Sequence, residues 1–414
     1  MNTELLKSKL LEAAFNGSLT HADTSTWEDF ALGEIFLMKA GKNVTAADIS
    51  EEQNEKCPYP CYGGNGLRGY VKDYNTEGIF PIIGRQGALC GNVKYVEGKF
   101  FATEHAVVVR NKKEVDSRWA FHALTFLNLN QYATATAQPG LAVSKIEQVR
   151  LSLPLLAEQQ RIVAALEEGF AYIDAVASAK QNLSDTAELL RNKILQAAFD
   201  GSLTNANNND SAASLLSIIE AERKNKKRYT EGNNYHVRPS ISIPNNWCWV
   251  KINDVAITEL GKTLDKDKNT GDLYNYLCAA NIRWCSFNLS TLKQFRLENT
   301  EKERYKIRKG DLLISEGGDV GRSAIWDSDD EIFYQNALHR VRFYGGVSQY
   351  FFLYLLMFYK QIGLIDRVSG GMTIKHFTQN SMLRLDFPLP PLAEQQRIVA
   401  KIDELFTQID KISN

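Results

Sequence analysis

The chain has 414 residues, 44% hydrophobic and 23% charged, with 48 basic against 49 acidic side chains and a formal net charge of −1. That length exceeds one ordinary core and implies two domains with connecting structure, and no apolar stretch approaches the roughly 20 residues that cross a bilayer. A near-neutral balance means that any nucleic-acid surface must come from local segregation of charge.

In chain order, the first predicted element is an amphipathic helix, LLKSKLLEAAFNGSLT (5–20), stopped at Gly17. Its interspersed charges lack the order of a signal peptide, so a cytoplasmic protein is expected, with Cys57, Cys61, Cys90, Cys248, Cys278 and Cys285 as free thiols. Trp27, Phe30, Leu32, Glu34 and Ile35 read as an entering strand or short helix. The pair in CPYPC (57–61) has the chemistry of zinc ligands, but no second Cys or His pair of compatible spacing follows, and no metal is expected. GGNGLRG (63–69) lacks dinucleotide-binding spacing and reads as a turn. PIIGRQGALCGNV (81–93) reads as strand, sharp turn and second strand, and FFATEHAVVV (100–109) as one further strand.

A long helix follows. LPLLAEQQRIVAALEEGFAYIDA (153–175) has a proline near its first turn, and LLRNKILQAAFDGSLT (189–204) ends it at Gly201. Apolar residues recur at helical spacing: Val163, Leu166, Phe170, Ile173 and Ala177, then, after a phase slip near Lys180, Leu183, Ala187, Leu190, Ile194 and Ala197. From Ala157 to Ala197 such a rod is about 60 Å long at 1.5 Å per residue. A polar exit, NANNNDSAAS (205–214), leads to a short helix ending in the basic cluster Lys224, Lys226, Lys227, Arg228 with Tyr229.

Then the pattern repeats. Trp247, Val250, Ile252, Asp254 and Val255 match the first entering segment. LLISEGGDVGRSA (312–324) matches the first strand–turn–strand, with Gly317 and Gly321 aligned to Gly87 and Gly91. FYQNALHRV (333–341) matches the further strand, and LPPLAEQQRIVAKIDELFTQIDK (389–411) the start of the long helix. The two kinds of helical repeat are permuted: adjacent in the middle of the chain, at opposite ends elsewhere. Pairing requires an antiparallel seam in which Leu166, Phe170, Ile173, Leu190 and Ile194 face Val399, Ile402, Phe406, Ile409, Leu6 and Leu10.

The expected fold is mixed α/β. Two pseudo-symmetric domains, 21–152 and 240–388, are separated by two long antiparallel coiled-coil helices. One is a central region at 153–204; the other is a distal region divided between 1–20 and 389–414, and 205–239 forms a linker.

No catalytic constellation is present. GxxxxGK[ST] is absent, as is an Asn-Pro-Pro-aromatic segment, and the six histidines fall singly. What remains suits base edges and phosphates: Arg85, Gln86, Asn92, Lys94, Thr103, Glu104 and His105 in the first domain, and Ser315, Glu316, Arg322, Gln335, Asn336, His339 and Arg340 in the second. Arginine can grip guanine, and Asn or Gln adenine, by paired hydrogen bonds.

Two domains between permuted helical repeats, each closed by LP-x-LAEQQRIV, resemble the specificity subunits of Type I restriction-modification enzymes over nearly the whole chain. The resemblance implies a non-catalytic reader of a bipartite double-stranded DNA target. Its implied partners are two modification subunits that bind S-adenosylmethionine and methylate adenine, and restriction subunits that use ATP and Mg²⁺. No cofactor is implied on this chain. The alternatives are a specificity subunit serving a methyltransferase without a cleavage partner and a coiled-coil scaffold protein, the latter leaving the two duplicated glycine-turn domains unexplained.

Overall fold

A computed structural model describes residues 2–134, 139–204, 210–223, 237–265, 269–371 and 375–413. The basic cluster at 224–229 lies outside them. The chain divides into two compact units, Met1–Gln181 and Asn182–Asn414. Among the described residues no helix is long and apolar enough to cross a membrane.

The first unit runs α1 (Thr3–Phe15), β1 (Glu28–Ala31), α2 (Leu32–Ile35), β2 (Phe36–Ala40), β3 (Tyr59–Gly63), β4 (Gly66–Val71), β5 (Thr76–Gly84), β6 (Val93–Ala102), β7 (Ala106–Asn111), α3 (Ser117–Phe126), α4 (Val143–Ile146), β8 (Arg150–Leu153) and the start of α5 (Leu156–Asp200). Six strands form one sheet in the order β2-β7-β5-β6-β3-β4, while β1 pairs with β8. Within the sheet only β3 and β6 run parallel. The unbroken apolar run Val107–Val109 is the signature of a strand covered on both faces, and all three residues are buried. Against Val107 and Val109 pack Trp119, Ala123 and Leu124 of α3, in one core with Ala14 of α1 and Ile162 and Leu166 of α5.

The second unit contains the rest of α5, then α6 (Ala212–Arg223), β9 (Cys248–Lys251), α7 (Ile252–Val255), β10 (Ala256–Leu260), β11 (Asp272–Leu277), β12 (Ile282–Arg283), β13 (Ser286–Phe287), β14 (Lys293–Leu297), α8 (Lys302–Tyr305), β15 (Leu312–Ser315), β16 (Ser323–Ile325), β17 (Phe333–Tyr334), β18 (Leu338–Phe343), α9 (Gln349–Gln361), α10 (Leu364–Val368), α11 (Gln379–Leu383), β19 (Asp386–Leu389) and α12 (Leu392–Ser413). Its sheets are ordered β10-β18-β15-β16 and β14-β11-β17, with β9 on β19. The parallel pairing of β11 with β17 repeats that of β3 with β6. The strand order is therefore the same, except that the strand continuous as β6 in the first unit is divided into β16 and β17 and that the antiparallel pair β12–β13 is inserted between β11 and β14. Each segment expected to form one further strand (100–109 and 333–341) spans a strand end, a turn and a new strand.

Each half of α5 receives one terminal helix, antiparallel. In the first unit Lys7 pairs with Asp174 at 2.7 Å and Leu10 lies on Gly169, where a Cβ would come within 2.4 Å of it. In the second, Arg191 pairs with Asp410 and Phe406 packs on the same core as Ile194, Val399 and Ile402. The expected seam needs correction at two positions, because Leu190 is 45% and Leu6 37% exposed. Leu166 and Ile409 are buried, and Phe170 and Ile173 half-buried. Ala187 of the expected stripe is buried as well, and Ile162, Leu195, Ala198 and Phe199, which the spacing does not pick out, carry the rest. A straight helix of 3.6 residues per turn drifts against a strict heptad, so a stripe read at fixed spacing walks off the contact line.

Candidate nucleic-acid interface

One end of each sheet is held by the same lattice of main-chain hydrogen bonds. In the first unit the Thr103 N–H donates to Tyr62 O (2.9 Å), Arg85 to His105 O (3.0 Å), Gly84 to Asn92 O (3.0 Å) and Leu141 to Arg85 O (2.8 Å). In the second, Gln335 donates to Leu277 O (3.0 Å), Glu316 to Ala337 O (2.9 Å), Ser315 to Arg322 O (2.8 Å) and Phe377 to Glu316 O (2.8 Å). Thr103, Glu104, Arg85 and Asn92 are thus equivalent to Gln335, Asn336, Glu316 and Arg322. The glycine turn is one residue shorter in the second unit, so Gly87 (φ +91°) corresponds to Gly318 (φ +74°) rather than Gly317, while Gly91 does correspond to Gly321.

This lattice fixes where the sequence-predicted residues fall. Gln86 and Lys94 are exposed; Arg85, Asn92, Glu104 and His105 are half-buried, with Glu104 Oε1 3.2 Å from His105 Nε2. Thr103 is buried, its Oγ1 accepting the His105 N–H at 3.3 Å. In the second unit Gln335 and Asn336 are half-buried, and Asn336 Nδ2 donates to Thr263 Oγ1 at 3.3 Å. Arg322 leans on the main chain, donating to Asp319 O at 3.3 Å and Ala279 O at 3.4 Å.

Four expected readers are interior instead. Thr103 is one; Ser315 is another, fully buried and donating to Gly317 O at 2.8 Å. His339 is 1% exposed, with Nε2 3.2 Å from Phe377 O and 3.5 Å from Glu316 Oε2. Burial pushes its imidazole down to about 4, so it is neutral near pH 7. Arg340 is 2% exposed, paired with Glu259 and lying over the Tyr334 ring. Both sit on β18, which is sandwiched between β10 and β15 and covered on each face, so alternation there separates two interiors rather than core from solvent.

The sequence reading missed the tip of the β3–β4 hairpin. Gly63, Gly64, Asn65, Gly66, Leu67 and Arg68 line a cleft of about 410 Å³ with Gln86, Gly87 and His105. The signal was in NG flanked by strand-like residues, which marks a tight hairpin whose tip projects from the sheet. Taken together, the sheet ends present amide, guanidinium, ammonium and apolar groups on a rigid frame, a set suited to recognition rather than bond-making.

A profile of the Type I restriction modification DNA specificity domain matches residues 24–183 and again 244–414. The chain is 52% identical over 137 residues to the Type I restriction enzyme EcoprrI specificity subunit of Escherichia coli, a match covering 33% of this chain and 34% of that protein. It is 25% identical over 360 residues, 86% of this chain and 82% of the other, to the putative type I restriction enzyme specificity subunit S.HindORF215P of Haemophilus influenzae. Among solved structures, a chain from work on complex assembly and conformational transition of the type I R-M system superposes with a TM-score of 0.64 at 17% identity, over 94% of this chain and 92% of that one. The HsdS subunit from Thermoanaerobacter tengcongensis gives 0.52 at 17% identity over 93% and 90%.

Proposed function

Because this chain belongs to the Type I restriction modification DNA specificity family, matched in both of its units, we propose that it reads a bipartite DNA target, one half with each unit, and directs catalytic partners to it. The observation that supports this most is the repetition of one hydrogen-bonded sheet end in both units with unlike side chains at equivalent positions: Arg85 against Glu316, Glu104 against Asn336, Asn92 against Arg322. Two readers of one design but different polarity suit a target whose halves differ in sequence.

The chemistry falls to partners. Two modification subunits supply S-adenosylmethionine and methylate adenine, and restriction subunits supply ATP-driven translocation and Mg²⁺-dependent cleavage. This chain supplies the address, in the cytoplasm where the DNA is. Binding divides into phosphate contacts, which position, and base-edge contacts, which specify. Purified chain with S-adenosylmethionine and DNA is expected to transfer no methyl groups, and addition of the modification subunits to produce adenine methylation at a two-part motif. Methylation by the rigorously purified chain alone would overturn the reading.

A further inference from the structure

We propose that the β3–β4 hairpin tip and the Gln86 turn form a single base-reading edge in the first unit, in which the amides of Asn65 and Gln86 grip adenine and Leu67 meets a neighbouring thymine methyl group. This rests on the reading of the chain as a DNA specificity subunit and names the residues through which one unit does it.

Three observations converge on this edge. The two turns are locked together by their main chains: a Cβ on Gly84 would lie 1.8 Å from Gly64 O, and one on Gly64 2.9 Å from Gln86 O. No side chain fits between them, so whatever they present is presented at fixed spacing. Next, Asn65, Arg68 and Gln86 are exposed, and none has a side-chain hydrogen bond or ion pair among the described residues. Their hydrogen-bonding capacity is unspent, whereas in the second unit Asn336 and Arg322 are already bonded internally. Finally, Leu67 is 53% exposed at the rim of the same cleft, beside those amides.

Major-groove chemistry unites the three. A side-chain amide matches adenine N6 and N7 with two hydrogen bonds, and the thymine of an A·T pair adds a methyl group that an aliphatic side chain covers. Arg68, the one permanently charged group in the lining, supplies a phosphate contact at the cleft mouth. The second unit builds no counterpart from the same positions. Gly64 and Gln86 are there Ala279 and Gly317, and Arg322 reaches across to Ala279 O. The half-site read by the first unit therefore contains A·T pairs that the other half need not share.

The test uses the full chain assembled with its modification subunits in a bacterium, with the genome as the DNA probe and methylated adenines mapped by sequencing. In the Asn65→Ala/Gln86→Ala chain, preference at one or two A·T positions of a single half-site should fall by about tenfold or more, the other half unchanged. Gln86→Glu replaces a donor by an acceptor at an exposed site and should move preference toward cytosine, whose N4 donates. An unaltered motif in both variants, or equal relaxation of both halves, overturns the proposal while the wild-type chain still directs methylation. A wild-type chain that directs none overturns the specificity-subunit reading itself, and this proposal with it.

Discussion

Thr20 donates its hydroxyl to Glu158 at 2.5 Å across 138 residues of sequence. Arg161 completes the contact, donating to Glu158 at 2.8 Å and to Thr20 O at 2.9 Å. In the second unit Thr204 likewise donates its hydroxyl to Glu394, and Arg397 donates to the same carboxylate at 2.9 Å. The two repeats that stood apart in the sequence, GSLT and LAEQQRIV, are the two sides of one joint. Beside it the buried Gln159 accepts the Asp116 N–H at 2.8 Å and donates to Pro154 O at 2.9 Å. Gln395 does the same with Ser348 and Pro390 at identical distances.

Gln159→Ala leaves buried main-chain groups without partners, which costs about 1–3 kcal/mol. For a unit of this size that lowers the melting temperature by about 2–4 °C per kcal/mol. Differential scanning calorimetry of the full chain should show this loss, and a similar one for Gln395→Ala. A melting curve indistinguishable from wild type would show that the joint does not hold the domain helices.

The corrected seam separates two leucines that lie about seven turns apart on α5. Leu166 is fully buried, so Leu166→Ala should cost about 2–5 kcal/mol. Leu190 is 45% exposed, so Leu190→Ala should stay within about 0.5 kcal/mol. Urea denaturation distinguishes them, and equal losses would restore the heptad seam expected from sequence.

His122 and His339 are each pushed down to about 4 by burial. Unfolded, both titrate near 6.5. Above that pH neither state is protonated and their contribution to stability is whole. As the pH falls from about 6.5 to 4 the unfolded chain takes up protons that the folded chain refuses, and stability declines, on the order of 3 kcal/mol per histidine. Glu316, raised by burial beside His339, opposes the decline by accepting its proton more readily in the folded state. Denaturant midpoints measured from pH 4 to 8 should show this slope, flattened in His122→Leu and His339→Leu.

Gln335→Ala/Asn336→Ala should relax base preference in the half-site read by the second unit alone, by about 1–3 kcal/mol for a two-bond contact of the Gln335 amide with a base, Asn336 being bonded to Thr263. Mapping methylated adenines with the reconstituted complex measures it. Simultaneous change in both halves would mean that the units do not read separately.

The pseudo-symmetry was legible because the joint and the helix stops recur almost letter for letter, down to Gly17 (φ +81°) and Gly201 (φ +83°). Strand order was not, since it depends on pairings such as Tyr276 with Phe333 that no local pattern announces. The reading residues were legible only in part. His339 and Arg340 have the chemistry of DNA contacts, yet their strand is central, and the His339 Nε2 and the Arg340 guanidinium find partners in the interior, at Phe377 O and Glu259. Leu67 and Asn65 went unremarked because a hairpin tip reads as punctuation until the sheet beneath it is known.

Gln159 and Gln395 ask of the segment between the helices only main-chain groups, a peptide N–H in each unit and, for Gln159, the Glu114 carbonyl as well. Asp116 and Ser348 meet that demand equally, each also capping the helix that follows with its side-chain oxygen. Everything else in the joint belongs to the helical repeats that flank the segment. A stretch excised between Thr20 and Glu158 takes no joint side chain with it, so one reading module can drift in sequence, or be exchanged for another, without the frame that carries it having to change.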